Sequence, residues 1–318
     1  MRAFKLAFAL VFLLAAPQTQ AAGVRFIDIP ASPTGPAMTG AVWYPCAASP
    51  QDINISDRNI GDRTLAGAKD CPLISDKLPL VVISHGRTGW FGGHHDTAAA
   101  MADSGFVVAA ISHPGDNASD RSRVDSLSVL VERPADIKRL IDFMLDAWPD
   151  ASHIDAQRIG LYGFSMGGYT GLVVIGGNPD LRKGLARCER SSFRTCEQLE
   201  NNELPGEAPT HDPRVKAAVI VDPARGFLFP ADSLKAVIIP VQLWSSDPLL
   251  GADHLSGCCA AGINERLPSK PDYHLAANAK HLSFLALCSR RRRAPIPEFA
   301  PTRRASIAVP STSSSTPT

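Results

Sequence analysis

Short apolar runs alternate with amphipathic stretches through the middle of the chain. Residues 80–84 and 106–111 are almost wholly apolar over the length of a strand, and they predict buried strands. Similar runs at 159–162, 215–221 and 237–244 predict three more. Between them, 96–103 reads as a helix. Pro134 is placed to open a second helix at its first turn, where a missing N–H costs nothing. That helix carries Ile137, Leu140, Ile141, Met144 and Leu145, a stripe at helical spacing. A further helix is expected from Met166. Strands apolar along their whole length, with helices between them, imply a mostly parallel sheet with helices on both faces. The fold class is α/β, as one domain over residues 23–288.

Three segments depart from this alternation. At the N-terminus Arg2 and Lys5 precede an uncharged apolar run at 6–16, followed by Pro17 and small residues. This order predicts a signal peptide over 1–22, cleaved after Ala21 or Ala22. The run is shorter than the ~20 apolar residues a membrane span needs. No later segment reaches that length, so an exported protein, periplasmic or secreted, with no stable membrane span is expected. Residues 176–213 are polar, charged and rich in Cys and Asn, and read as a lid-like insertion. The tail from 289 to 318 holds four consecutive arginines and then Pro, Ser and Thr, a composition without a core.

Composition narrows the partners. Lys+Arg number 32 and Asp+Glu 31, a formal charge of +1, so no overall field draws in nucleic acid or anionic lipid. Aromatic residues make up only 7%, which argues against a base-stacking surface. Export would permit disulfides. Cys46 and Cys71 flank one polar loop and Cys188 and Cys196 another, while Cys258, Cys259 and Cys288 remain. None of them has CxxC spacing, so neither a zinc site nor a redox site is expected.

The sharpest chemical signal is Gly163-Phe164-Ser165-Met166-Gly167-Gly168, between a predicted strand and a predicted helix. A strand-to-helix turn with small flanking residues lifts a serine Oγ above a helix N-terminus, where free N–H groups favour developing negative charge. Such a serine needs a base. With the acid between nucleophile and histidine in chain order, His281 is the expected base, ahead of His274, which sits in a strand-like run, and of His254 and His211. Asp222 and Asp247 each end a predicted strand, and either carboxylate could orient the imidazole. The oxyanion donors expected are the N–H groups of Met166 and Arg87, the latter in the loop after 80–84, with His85 and Gly86 shaping that turn. His113, in Ser112-His113-Pro114-Gly115-Asp116, is a pocket candidate at the same sheet edge. His94 and His95 are adjacent and point apart on a helix, a poor metal pair, so no metal and no cofactor are expected.

These motifs together resemble the secreted dienelactone-hydrolase-like proteins of the α/β-hydrolase superfamily, close to platelet-activating-factor acetylhydrolases. The resemblance is carried by Ile83-Ser-His-Gly-Arg87, Ile111-Ser-His-Pro-Gly-Asp116, Arg133-Pro-Ala-Asp136, the segment around Ser165, Val241-Gln-Leu-Trp244 and His281-Leu-Ser-Phe284. It implies an α/β-hydrolase fold, Ser165 as nucleophile, His281 as base and Arg87 and Met166 as oxyanion donors. Dienelactone hydrolases proper use cysteine, so their substrate is not implied. The general superfamily pattern favours Asp247 as acid and the acetylhydrolase arrangement favours Asp222; Asp222 is preferred, with Asp247 the alternative. The expected activity is hydrolysis of a small-molecule carboxylic ester, short-chain or small lipophilic, through an acyl-serine; the alternative is a non-catalytic exported binding protein on the same fold.

Overall fold

The computed structural model describes residues 21–56, 63–190, 194–250 and 259–287. The expected signal sequence apart from Ala21 and Ala22, the tail, His254, Cys258 and Cys288 lie outside these residues. The elements in chain order are β1 (Gly23–Ile29), β2 (Met38–Tyr44), β3 (Gln51–Asn54), β4 (Thr64–Lys69), β5 (Leu78–Ser84), α1 (His95–Asp103), β6 (Val107–Ile111) and α2 (Val129–Asp146). They continue with β7 (Ile154–Phe164), α3 (Met166–Val174), α4 (Arg194–Glu200), β8 (Val215–Val221), β9 (Val241–Ser246), α5 (Ala260–Arg266) and β10 (Asp272–Ala276).

The strands form one ten-stranded sheet in the order β10-β9-β8-β7-β5-β6-β2-β1-β4-β3. From β6 to β10 every neighbouring pair is parallel. β2 joins β6 and β1 antiparallel, so the N-terminal strands extend an otherwise parallel sheet. Alternation along each strand assigns side chains to faces. Leu80 and Val82 of β5, with Val107, Ala109 and Ile111 of β6, meet Ile137, Leu140, Ile141 and Met144 of α2 on one face. Ile83, Val108, Ala110, Tyr162 and Phe164 meet Ala98, Met101 and Ala102 of α1 on the other. Each fully buried Leu- or Ile-sized side chain contributes roughly 1.5–3 kcal/mol.

Two predicted elements are revised. Helix α2 starts at Val129, so Pro134 lies inside it and not at its first turn. Pro134 has no N–H for the carbonyl of Leu130, one turn back. The Tyr169 hydroxyl of α3 donates to that carbonyl at 3.3 Å, which lets the helix run through. The strand expected at 237–244 forms only from Val241. Val237 closes a turn on Leu234, Ile238 is exposed and Pro240 cannot donate to a ladder. Strands β1 to β4 had no counterpart among the predicted elements. β3 is only four residues long, β1 and β3 carry charged residues, and β2 and β4 hold Thr, Gly and Ala, so none is a continuous apolar run.

The described residues of 176–213, expected as an insertion, are tied to the approach to α2 and to the end of α3. The Leu127 N–H donates to Gln198 Oε1 at 2.9 Å, and the Asp212 N–H to the Val174 carbonyl at 2.8 Å. Cys46 is bonded to Cys71 and Cys188 to Cys196. Among the described residues no helix is long and apolar enough to cross a membrane.

Candidate active site

Strand β7 ends at Phe164 and α3 begins at Met166, leaving a single residue, Ser165, to make the turn. Its backbone sits at φ 54° and ψ −113°, outside the regions a side chain prefers. The turn closes only because its neighbours lack Cβ atoms. A Cβ on Gly163 would lie 2.2 Å from the Gly167 carbonyl, and one on Gly167 would lie 1.8 Å from that of Ser84. The Ser165 N–H donates to the Val221 carbonyl at 2.9 Å, which locks the turn to β8.

His281 reaches this serine from a 3₁₀ turn, His281–Phe284, that follows β10. Its Nε2 is 2.8 Å from Ser165 Oγ and its Nδ1 is 2.6 Å from Asp222 Oδ2. The ring rests against Phe164, with centroids 4.8 Å apart. Asp222 ends β8 with φ at 40°. It accepts hydrogen bonds from the Ser246 hydroxyl at 2.6 Å and the Ser246 N–H at 3.2 Å. All three side chains are buried.

Asp247 does something else. Its Oδ2 accepts from the Asn278 N–H at 3.0 Å, and its own N–H donates to the Ala279 carbonyl at 2.8 Å. It steadies the loop that delivers His281 and lies one step from the imidazole. His274 stacks on Trp244 at the sheet edge, 4.5 Å between centroids, in the strand expected for it. His211 faces the Gly177 carbonyl. His94 and His95 face the carbonyls of Phe284 and Gly92.

The loop after β5 passes close to Ser165: a Cβ on Gly86 would lie 3.3 Å from that of Ser165. Among the described residues neither the Arg87 N–H nor the Met166 N–H has an acceptor. The Arg87 side chain turns away to pair with Asp125.

His85 and His113, expected at the pocket, are buried beneath this loop, where they hold polar contacts. The His113 N–H donates to His85 Nε2 at 3.0 Å, so His85 carries its proton on Nδ1 and donates it to the Gly86 carbonyl at 2.6 Å. His113 Nε2 meets Ser84 Oγ at 2.9 Å and its Nδ1 meets Asp136 at 3.0 Å. Burial, reinforced by the Arg133 guanidinium, pushes both imidazole pKa values well below the ordinary range. Burial pushes the Asp136 carboxyl up to about 7, against the opposing pull of Arg139 and Arg133. In the sequence the Arg133 to Asp136 segment carries part of a resemblance and no role of its own. The signal was two charged residues within an apolar helical stripe.

The family described as serine aminopeptidase, S33 (Hydrolase_4), matches residues 76–189. That span holds Arg87 and Ser165 and ends before Asp222 and His281. A ferulic acid esterase from Streptomyces cinnamoneus is similar in structure, with a TM-score of 0.56 at 19% identity, over 85% of this chain and 78% of that one. A dienelactone hydrolase from Anabaena variabilis aligns with a TM-score of 0.47 at 13% identity, over 82% of this chain and 88% of that one. No curated protein sequence matches the chain. The sheet order, the turn at Ser165, the matched family and the likeness to the ferulic acid esterase define an α/β-hydrolase fold.

Proposed function

We propose that the protein is a serine hydrolase of carboxylic esters, with short-chain or small lipophilic substrates. The observation that carries this reading is the continuous contact from Ser165 Oγ through His281 to Asp222, at 2.8 and 2.6 Å. Ser165 attacks the ester carbonyl while His281 Nε2 takes its proton. Asp222 accepts the Nδ1–H, sets the tautomer and stabilises the imidazolium. The carbonyl oxygen, now negative, is held by the N–H groups of Arg87 and Met166, each such donor being worth ~3–4 kcal/mol in the transition state. Collapse expels the alcohol, which takes the proton from His281. Water repeats the sequence on the acyl-serine and frees the acid. Besides the ester and water, each step uses groups of this chain, and the proposed sequence calls for no cofactor. The two disulfides support a proposal of export to an oxidising compartment.

The test is a p-nitrophenyl ester series of increasing acyl length, run beside aminoacyl p-nitroanilides, with a fluorophosphonate label mapped by mass spectrometry. Ester turnover with the label on Ser165 is expected, and Ser165→Ala should lose on the order of 10⁶ in kcat. Cleavage of the anilides but not the esters would move the substrate class to peptides, as the matched family's description suggests. Neither turnover nor labelling would sink the hydrolase reading.

A further inference from the structure

The two amides proposed to hold the oxyanion come from separate parts of the fold, the loop after β5 and the first turn of α3. One buried side chain touches the support of both. Arg133 is 1% exposed and Asp116, its partner, is 0% exposed. Arg133 Nη1 donates to Asp116 Oδ2 at 2.7 Å. The other oxygen of the same carboxylate accepts the Thr88 N–H at 2.8 Å. Arg133 Nη2 donates to the His85 carbonyl and lies 3.3 Å from Ser84 Oγ. The ion pair thus holds the turn at both ends, His85 and Thr88, with Arg87 between them.

The third arm of the guanidinium goes to the helix. Arg133 Nε donates to Thr170 Oγ1 at 3.2 Å, and the Thr170 hydroxyl donates to the Met166 carbonyl at 3.0 Å. Met166 carries the second amide. The planar fork of an arginine can make these contacts at once, and a lysine ammonium on a single flexible stem cannot. Oxyanion donors must sit 2.7–3.1 Å from the position the substrate oxygen takes in the transition state, so their mutual spacing matters as well as their presence.

We propose that Arg133, with Asp116 and Thr170, is a positioning residue that fixes the spacing between the Arg87 and Met166 amides and so sets transition-state binding. The proposal rests on the serine-hydrolase reading. It gives the Arg133 side chain a role in kcat although it is buried beneath the loop and does not reach the substrate.

The experiment compares the unmutated protein with Arg133→Lys and Thr170→Val, using a p-nitrophenyl ester and its thionoester. Sulfur replaces the oxygen that becomes the anion and fits the donor pair poorly, so the ester-to-thionoester rate ratio reports on the donors themselves. Thermal unfolding is followed in parallel. In Arg133→Lys the ester kcat should fall about 10- to 100-fold with KM little changed, and the ratio should fall with it. Thr170→Val keeps volume and removes only the link to α3, and should lower kcat and the ratio by about 2- to 10-fold. If Arg133→Lys does not fold, Thr170→Val decides. Unchanged kcat in folded variants, or a loss of kcat at constant ratio, would overturn the assignment in favour of a purely structural role. Absence of ester turnover in the unmutated protein would instead defeat the underlying ester-hydrolase reading, and this proposal with it.

Discussion

At Asp222 two demands meet in one side chain. Its carboxylate faces the His281 Nδ1 at 2.6 Å and accepts the Ser246 hydroxyl at 2.6 Å, both inside the protein. An amide at this position can stabilise the wrong imidazole tautomer and brings no charge to meet imidazolium. Asp222→Asn should therefore cost on the order of 10⁴ in kcat. Asp247→Asn keeps an acceptor for the Asn278 N–H and sits near the surface. It should alter kcat by less than about tenfold, through a loosened His281 loop and a hydrogen bond worth ~1 kcal/mol. Steady-state kinetics on both purified variants, with circular dichroism to show folding, checks the pair. A severe defect in Asp247→Asn beside an active Asp222→Asn would reverse the two roles.

A hydrogen bond from α3 repairs a gap in α2. Pro134 deprives the Leu130 carbonyl of its helical donor, and the Tyr169 hydroxyl supplies the replacement from α3. Tyr169 is fully buried and packs on Phe229, with ring centroids 5.4 Å apart, so water cannot readily take its place. Tyr169→Phe preserves the ring and removes the donor. The variant should unfold about 1–2 kcal/mol more easily, the cost of an orphaned buried carbonyl. A urea midpoint equal to that of the parent would show that Leu130 finds another partner. The same pairing of elements brings Arg133, on α2, within reach of Thr170, on α3, so the contact that repairs the helix also serves the site.

Across the molecule, three buried histidines set the response to acid. Burial lowers the His94 pKa to about 4, and those of His85 and His113 also fall well below the ordinary value. A group with a depressed native pKa lends stability that is present above its unfolded value, ~6.5, and is lost as pH falls through the native one. Asp136, raised to about 7, acts the other way: its contribution is present at low pH and lost as pH rises through about 7. The histidines outnumber it. Stability should decline as pH falls from about 6.5 to 4, His94 alone accounting for something on the order of 3 kcal/mol. His94→Asn, which can still donate to the Phe284 carbonyl, should flatten that slope even if it lowers stability overall. Urea unfolding across this pH range measures it. A slope identical to the parent's would mean that His94 titrates normally in the folded chain.

The parallel half of the sheet, α1, α3 and the serine turn were legible in the chain. Each depends on interactions close in sequence: continuous apolar runs, an amphipathic stripe, small residues on either side of Ser165. That His281, and not His274, lies beside Ser165 was legible too, through chain order and the strand-like surroundings of His274. Two kinds of feature were not. The start of α2 depended on Tyr169, far along the chain, compensating for Pro134, and no local pattern records such a rescue. The strands β1 to β4 are held by pairing with β6 and with one another more than by their own propensity, since none of them is a continuous apolar run. Which aspartate meets His281 was ambiguous for a related reason. Asp222 and Asp247 both end a strand at the same edge of the sheet, and the turn at φ 40° that aims Asp222 at His281 exists only once β8 and β9 are side by side. Likewise, nothing in the spacing of Ser84, Asp116, Arg133 and Thr170 shows that they meet. They come together because β5, the loop after β6, α2 and α3 converge there, and because a buried guanidinium is tolerated only where its donors find acceptors.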